Sequence, residues 1–194
     1  MPGKRSKQVL SKKQILHLGC GQSKKQGSIG IDILKNSQAD IIHDLNKFPY
    51  PFRSNQFDEI FAENILEHLD NIPKVMEEIH RICKNEAKIF ISTSHFTSID
   101  SFTDPTHKHF FTSRTFDYFI PGTDLYKYHY SKTSFKKLTV FVGPENSSNL
   151  LIRAFLAQVN KYLIFYEKHL AYLLPVGRIS YLLEVIKTNG KNRT

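Results

Sequence analysis

Cysteine is scarce: the 194 residues hold two, Cys20 and Cys83. Two thiols so far apart do not make the even, closely spaced framework of a small secreted domain, nor do they match a zinc-site spacing. A reducing compartment is the simpler reading. Long apolar runs are missing too. No stretch reaches the roughly 18 uninterrupted apolar residues of a membrane span, and the opening "MPGKRSKQVLSKKQ" is basic without the apolar centre of a signal peptide. The expectation is a cytoplasmic chain with no transmembrane segment. Acidic residues are outnumbered, 18 against 27 Lys and Arg, giving a formal charge of +9. Clustered basic charge attracts phosphates, but these lysines are spread over the whole chain, which argues against nucleic acid as the partner. There is no internal repeat and no low-complexity tract.

What is present suffices for one core. At this length, with 40% hydrophobic residues, the chain folds as one domain without staples. Residues 1–13 read as a basic flexible tail and 14–190 as the domain, with a first half over 14–93 and a second over 94–190. "QILHLG", "SIGIDI" and "ADIIHDL" are short apolar strands separated by Gly and polar residues. "NKFPYPFRSNQ" carries two prolines two residues apart and is a loop, after which "FDEIFAEN" reads as a buried strand. From Asn71, a candidate N-cap, Ile72, Val75, Met76, Ile79 and Ile82 fall at helical spacing with Pro73 in the first turn. "AKIFIST" is a further strand. A long His-rich loop, "SHFTSIDSFTDPTHKHFFT", then leads to a short helix at "SRTFDYF". "LYKYHY" and "FKKLTVFV" read as strands or a hairpin, "NLLIRAFLAQVNKYLIFYEKHLAYLL" as an apolar helix and "ISYLLEVIK" as a closing strand. Strands alternating with helices predict an α/β domain with a mainly parallel sheet.

In such sheets ligands sit beyond the carboxyl ends of the strands, where strand order reverses. The first three strands all end in ligand-type residues: Gly19 and Gly21, then Asp32, then Asp44. Glycine lets a ligand approach the backbone, and a carboxylate can accept two hydrogen bonds from a ribose diol. A dinucleotide fingerprint needs a third glycine, where this chain has Lys24, and an acid ~20 residues on, later than Asp32. NAD is therefore disfavoured. A second carboxylate at Asp44 suits a ligand with an adenine amino group and no pyrophosphate, and S-adenosylmethionine has that shape.

Taken together and in order, "ILHLGCG", "IGIDI", "IIHDLNKFPYPF", "FDEIFAENILEHL" and "AKIFIST" resemble the class I S-adenosylmethionine-dependent methyltransferases, especially their type 11 domains, from about Gln14 to Thr93. The resemblance implies a Rossmann-like fold with a mainly parallel seven-stranded sheet flanked by helices. It places Gly19, Cys20 and Gly21 under the methionine part of the cofactor, Asp32 with Ile33 at the ribose, Asp44 with Leu45 at the adenine, and Asn64 facing cofactor or substrate. Glu67 and His68, in "ILEHL", are then structural. Two departures mark a subtype. His17 stands at the cofactor-binding position usually held by an acid, two residues before the first glycine. Only Cys20 to Gly27 separate the first two strands, fewer than the dozen or so residues a parallel crossover needs, so the first helix is shortened to about a turn.

Methyl transfer from a sulfonium is an in-line displacement, so the protein positions the acceptor and removes its proton. In "DPTHKHFF", His107 and His109 are candidate bases and Asp104 a group to orient them. The same residues also read as a polar surface loop, or as zinc or iron ligands; the base reading is carried forward, with no metal in the site. The segment after the fourth strand lacks the Pro-Pro-aromatic signature of nucleic-acid amino methyltransferases, which favours a small-molecule, sugar or lipid-linked acceptor over RNA. Arg153, Lys161, Glu167 and Lys168 interrupt the apolar helix, which can serve as core, lid, dimer face or membrane-surface element. A monomer or a homodimer fits. The rival from another class is a cofactor-binding protein that kept the fold and lost turnover, motivated by His17.

Overall fold

The computed structural model describes residues 13–144 and 148–187. All but Lys13 of the basic tail, and residues 145–147 and 188–190 of the expected domain, lie outside the described residues. Seven strands form one sheet: β1 (Ile15–Leu18), β2 (Ile29–Asp32), β3 (Ile41–Ile42), β4 (Phe57–Glu63), β5 (Cys83–Ser94), β6 (Ser134–Val142) and β7 (Arg178–Ile186), in the order β3-β2-β1-β4-β5-β7-β6. β7 runs antiparallel to both β5 and β6, and the first five strands are mutually parallel. Chain order reverses between β1 and β4. The carboxyl ends there bring together Gly19, Asp32, Asn64 and Ser94, the position where open α/β sheets hold ligands.

The two faces of the sheet differ because side chains alternate. Leu16, Ile60, Ile89 and Leu183 stand side by side in register, all fully buried, in one core with Val75, Met76 and Ile79 of helix α1 (Ile72–Ile82). One residue along, His17, Phe61, Phe90 and Leu182 form the opposite face. Phe61 stacks on Phe90 with ring centres 4.6 Å apart, and the Lys25 ammonium sits 3.6 Å from the Phe61 ring. A further row pairs Lys88 with Glu184. This half-polar face follows from the short β1–β2 connection. The expected turn of first helix does not form: residues 20–28 fold as two tight turns, and a lysine tail covers Phe61 where a longer crossover would lay a helix.

Helix α1 starts where its cap predicts, with Asn71 Oδ1 accepting the Lys74 N–H at 3.0 Å, and its apolar stripe turns inward. The short helix expected at "SRTFDYF" is present as a 3₁₀ helix, Thr115–Phe119. Two expectations need correction. "LYKYHY" is no strand; Tyr126–Tyr128 form a 3₁₀ turn, ended by His129 in the left-handed region, with Tyr118 stacked on Tyr130 at 4.7 Å. The long apolar helix is two, α3 (Leu150–Lys161) and α4 (Leu163–His169), followed by turns. The Asn160 side chain accepts from the Val142 N–H at 2.7 Å and donates to its carbonyl at 3.0 Å, anchoring the end of α3 to β6 just before the break at Tyr162. A four-residue helix α2 (Asp100–Thr103) lies in the His-rich loop. Among the described residues no helix is long and apolar enough to cross a membrane.

Candidate active site

The glycine turn after β1 is built around a carboxylate. Asp32 Oδ2 accepts the Gly21 N–H at 2.7 Å and Oδ1 accepts the Leu34 N–H at 2.9 Å, so one side chain ties the first turn to the second strand's end. Gly19 and Gly21 both have positive φ, +59° and +48°. Glycine is required at 19 for a second reason, since a Cβ there would lie 2.5 Å from Cγ1 of Ile65. Above Gly21 a Cβ would meet nothing within 4 Å, leaving an open cradle against bare backbone. Beside it Ile33 and Leu34 are 60% and 55% exposed, an apolar ledge next to the buried Asp32.

The other expected cofactor residues fall differently. Asp44 lies two residues beyond β3, with Oδ1 accepting the Asn46 N–H at 2.9 Å. Leu45 is buried, and its carbonyl accepts the Tyr50 hydroxyl at 3.0 Å, so its side chain belongs to the core. Cys20 is buried against Gly30, and burial with the nearby Asp32 charge pushes its thiol up, keeping it neutral. His17 is buried below the glycine turn. Its Nδ1 accepts the Lys25 N–H at 3.1 Å and its Nε2 lies 3.7 Å from Glu63. It supports the loop from beneath. Burial lowers its pKa, with Lys25 adding to the effect and Glu63 opposing it, so the ring is neutral at pH 7.

Next to this corner a cavity of about 580 Å³ opens between the end of β4 and the His-rich loop. Asn64, Glu67, His68, Asp104, His107 and Arg178 are among its lining residues. Of the predicted histidines, His107 faces the cavity, with Nδ1 3.3 Å from the Ser101 carbonyl. His109 does not line it; its Nε2 is bonded to the Leu69 carbonyl at 2.8 Å. Asp104 orients neither of them directly. Its Oδ1 accepts the Thr106 N–H and hydroxyl at 2.8 and 2.7 Å, and Thr106 Oγ1 lies 2.8 Å from His68 Nδ1. Glu67 and His68, expected to be structural, are carried into the lining of the same cavity by the 3₁₀ turn Leu66–His68. The available signal was their position immediately after β4, beside Asn64. The His68 and His107 rings meet edge to face at 4.7 Å.

A sheet of this order with a glycine turn at its switch point defines a class I S-adenosylmethionine-dependent methyltransferase fold. On a chain of that fold, the model of the type 11 methyltransferase domain family matches residues 16–91. The open cradle at Gly21, the Ile33–Leu34 ledge and the flanking carboxylates fit S-adenosylmethionine, a nucleoside joined to an amino acid. Three solved structures share the fold. An S-adenosylmethionine-dependent methyltransferase from Mesorhizobium loti superposes with a TM-score of 0.56 at 14% identity, over 89% of this chain and 90% of that one. One from Archaeoglobus fulgidus gives 0.53 at 19%, over 90% and 86%. A phosphoethanolamine N-methyltransferase of Haemonchus contortus, in complex with phosphomonomethylethanolamine and S-adenosylhomocysteine, gives 0.52 at 16%, over 90% of this chain and 48% of that one. No curated protein matches the sequence.

Proposed function

We propose that the chain transfers the methyl group of S-adenosylmethionine to a hydroxyl or amine of a small-molecule, sugar or lipid-linked acceptor seated in the cavity beside Asn64. The observation that carries this reading is the position of the cavity, which opens at the carboxyl end of β4, one strand from the glycine turn, and is lined by polar side chains of the His-rich loop. Gly19, Gly21 and Asp32 form the floor for the cofactor, with Ile33 and Asp44 toward the nucleoside, while Asn64 marks the boundary between the two halves. The acceptor lone pair attacks the methyl carbon as the carbon–sulfur bond breaks, its electron pair staying on sulfur, and S-adenosylhomocysteine leaves neutral. Acceptor activation falls to the side chains that line the cavity, Glu67, His68 and His107, with Asp104 positioning His68 through Thr106. His109 holds the loop to Leu69. The lipid-linked end of the acceptor range draws on residues 150–174, which leave Leu151, Phe165, Tyr172 and Leu173 at least 59% exposed.

Titration calorimetry with S-adenosylhomocysteine, against NAD and ATP, tests the cofactor half. Selective binding is expected; preference for NAD makes the chain an oxidoreductase instead. Incubation with labelled S-adenosylmethionine and fractionated small-molecule extracts tests the rest. Release of S-adenosylhomocysteine with some fraction is expected, and tight binding with no release from any fraction favours the non-catalytic rival.

A further inference from the structure

Glu67 is 2% exposed, and its Oε2 has no hydrogen-bond partner. A carboxylate oxygen buried without a partner has given up its hydration with nothing in return. Such groups are kept where a ligand satisfies them. The two nearest imidazoles are prepared to join it. Thr106 donates its hydroxyl hydrogen to Asp104, so toward His68 the hydroxyl accepts, and His68 Nδ1 carries the proton. The Ser101 carbonyl can only accept, so His107 Nδ1 carries the proton as well. Both rings are thereby held in the tautomer that leaves the Nε2 lone pair free, the arrangement by which hydrogen-bonded neighbours orient metal-ligating histidines. One ligand atom from each of Glu67, His68 and His107 lies within 4.8 Å of the other two. Around a cation with bonds of about 2.1 Å, tetrahedral ligand atoms sit roughly 3.4 Å apart, so closure takes about an ångström of side-chain movement.

We propose that Glu67, His68 and His107 form a binding site for a divalent first-row transition-metal cation at the wall of the acceptor cavity. Two imidazoles and a carboxylate suit zinc and its neighbours rather than calcium or magnesium, which prefer all-oxygen shells. Three protein ligands leave coordination positions open toward the cavity, and these take an oxygen donor of the acceptor. The cation site deepens the methyltransferase reading in its choice of acceptor but does not need that reading for binding. It differs from the metal set considered in the sequence: His109 drops out because Leu69 holds it, and Asp104 acts only through Thr106.

The test is titration of chelator-stripped protein with Zn²⁺ and separately with Co²⁺, read by calorimetry and by the visible absorption of bound cobalt, with Mg²⁺ as control. One high-affinity site is expected, with cobalt bands of a low-coordinate nitrogen and oxygen shell. His107→Ala and Glu67→Gln should each weaken Zn²⁺ binding about a hundredfold or more, and Thr106→Ala, which frees His68, by roughly 10-fold. His169→Ala, on the exposed end of α4, should leave affinity unchanged. Binding that survives both His107→Ala and Glu67→Gln, or the absence of a saturable site in the wild type, overturns the proposal. Circular dichroism of the metal-free variants establishes that they fold, and Glu67→Gln keeps the shape of the buried group. S-adenosylhomocysteine titration of the same samples separates the two readings: unchanged cofactor binding without cation binding removes the metal alone, and the reverse removes the methyltransferase assignment alone.

Discussion

At the residue scale, Asp32 ties the glycine turn to the end of β2 and is the proposed ribose acceptor. Its oxygens accept N–H groups from Gly21 and Leu34, and each keeps a lone pair that a ribose hydroxyl can use. Asp32→Ala removes both the loop tie and the ribose acceptor, so S-adenosylhomocysteine affinity should fall at least about 10–100-fold, the equivalent of ~1.5–3 kcal/mol for hydrogen bonds to a charged group. Calorimetry gives the answer, and unchanged affinity removes Asp32 from the site. His17 makes a second prediction. Its folded pKa lies below the ordinary 6.5 because of burial, with Lys25 on its loop adding to this and Glu63 and Asp32 opposing it. Above pH 6.5 the ring is neutral in both folded and unfolded chains and contributes no pH dependence. Below it the unfolded histidine takes up a proton that the folded one refuses, so stability falls, by at most about 1.4 kcal/mol per pH unit. In urea unfolding between pH 7 and 5.5, His17→Gln should flatten that slope; an unaltered slope assigns it to another group, such as the half-buried His80.

At the scale of elements, the apolar pattern was legible where local chemistry and tertiary packing agree. β1, β2, β4, β5 and β7 each contain an apolar run bounded by polar or turn residues, and α1 carries cap, proline and stripe in sequence order, so each could be placed from its residues alone. The glycine turn and Asp32 were legible for the same reason, since a positive φ and a strand-end carboxylate are local requirements. What failed depended on distant partners. α3 ends because Asn160 reaches the backbone of Val142, and "LYKYHY" turns because its rings gather on Tyr118; neither contact leaves a mark in nearby sequence. The orientation of the His68 ring likewise depends on Thr106, 38 residues away. Helix α4 offers a test of such a contact. Glu167 accepts the Ser113 N–H and hydroxyl, both at 2.6 Å, and lies 3.4 Å from the fully buried His95, joining the helix to the loop after β5. Burial alone would raise its pKa, but hydrogen bonds from His95 and Ser113 outweigh that and hold it below the ordinary 4.5. Glu167→Gln should therefore cost about 1–3 kcal/mol near neutral pH. The deficit should shrink as pH falls below 4.5 and the wild-type carboxyl protonates, because a depressed carboxylate gives its stability above the unfolded value and loses it on acidification. Denaturant curves at pH 7 and pH 4 check both points, and equal stability of the two proteins at pH 7 makes the contact decorative.

For the whole molecule, charge and apolar exposure coincide in one region. Residues 150–174 expose Leu150, Leu151, Ile152, Phe165, Tyr172 and Leu173, while Arg153, Lys161 and Lys168 stand among them on a chain of net charge +9. Apolar side chains flanked by long basic ones suit the surface of an anionic bilayer, where the rings enter the headgroup boundary and the amines remain in water. Two terms then add: apolar burial, which salt does not weaken, and attraction to anionic lipid, worth roughly 1 kcal/mol per basic residue and screened over about 10 Å at 0.1 M salt. Sedimentation with vesicles should show binding to mixtures rich in phosphatidylserine, weaker binding to phosphatidylcholine alone, and a decline as salt rises. Leu151→Glu combined with Phe165→Glu should abolish it, since both substitutions strike the apolar term. These positions are exposed, so the folded domain and its S-adenosylhomocysteine affinity should be unaffected. If wild-type protein ignores both kinds of vesicle, sedimentation velocity across a hundredfold range of protein concentration tests the remaining occupant, a second copy of the chain. A dimer that the same two substitutions dissociate would assign the face to self-association and confine the acceptor to molecules that reach the cavity from water.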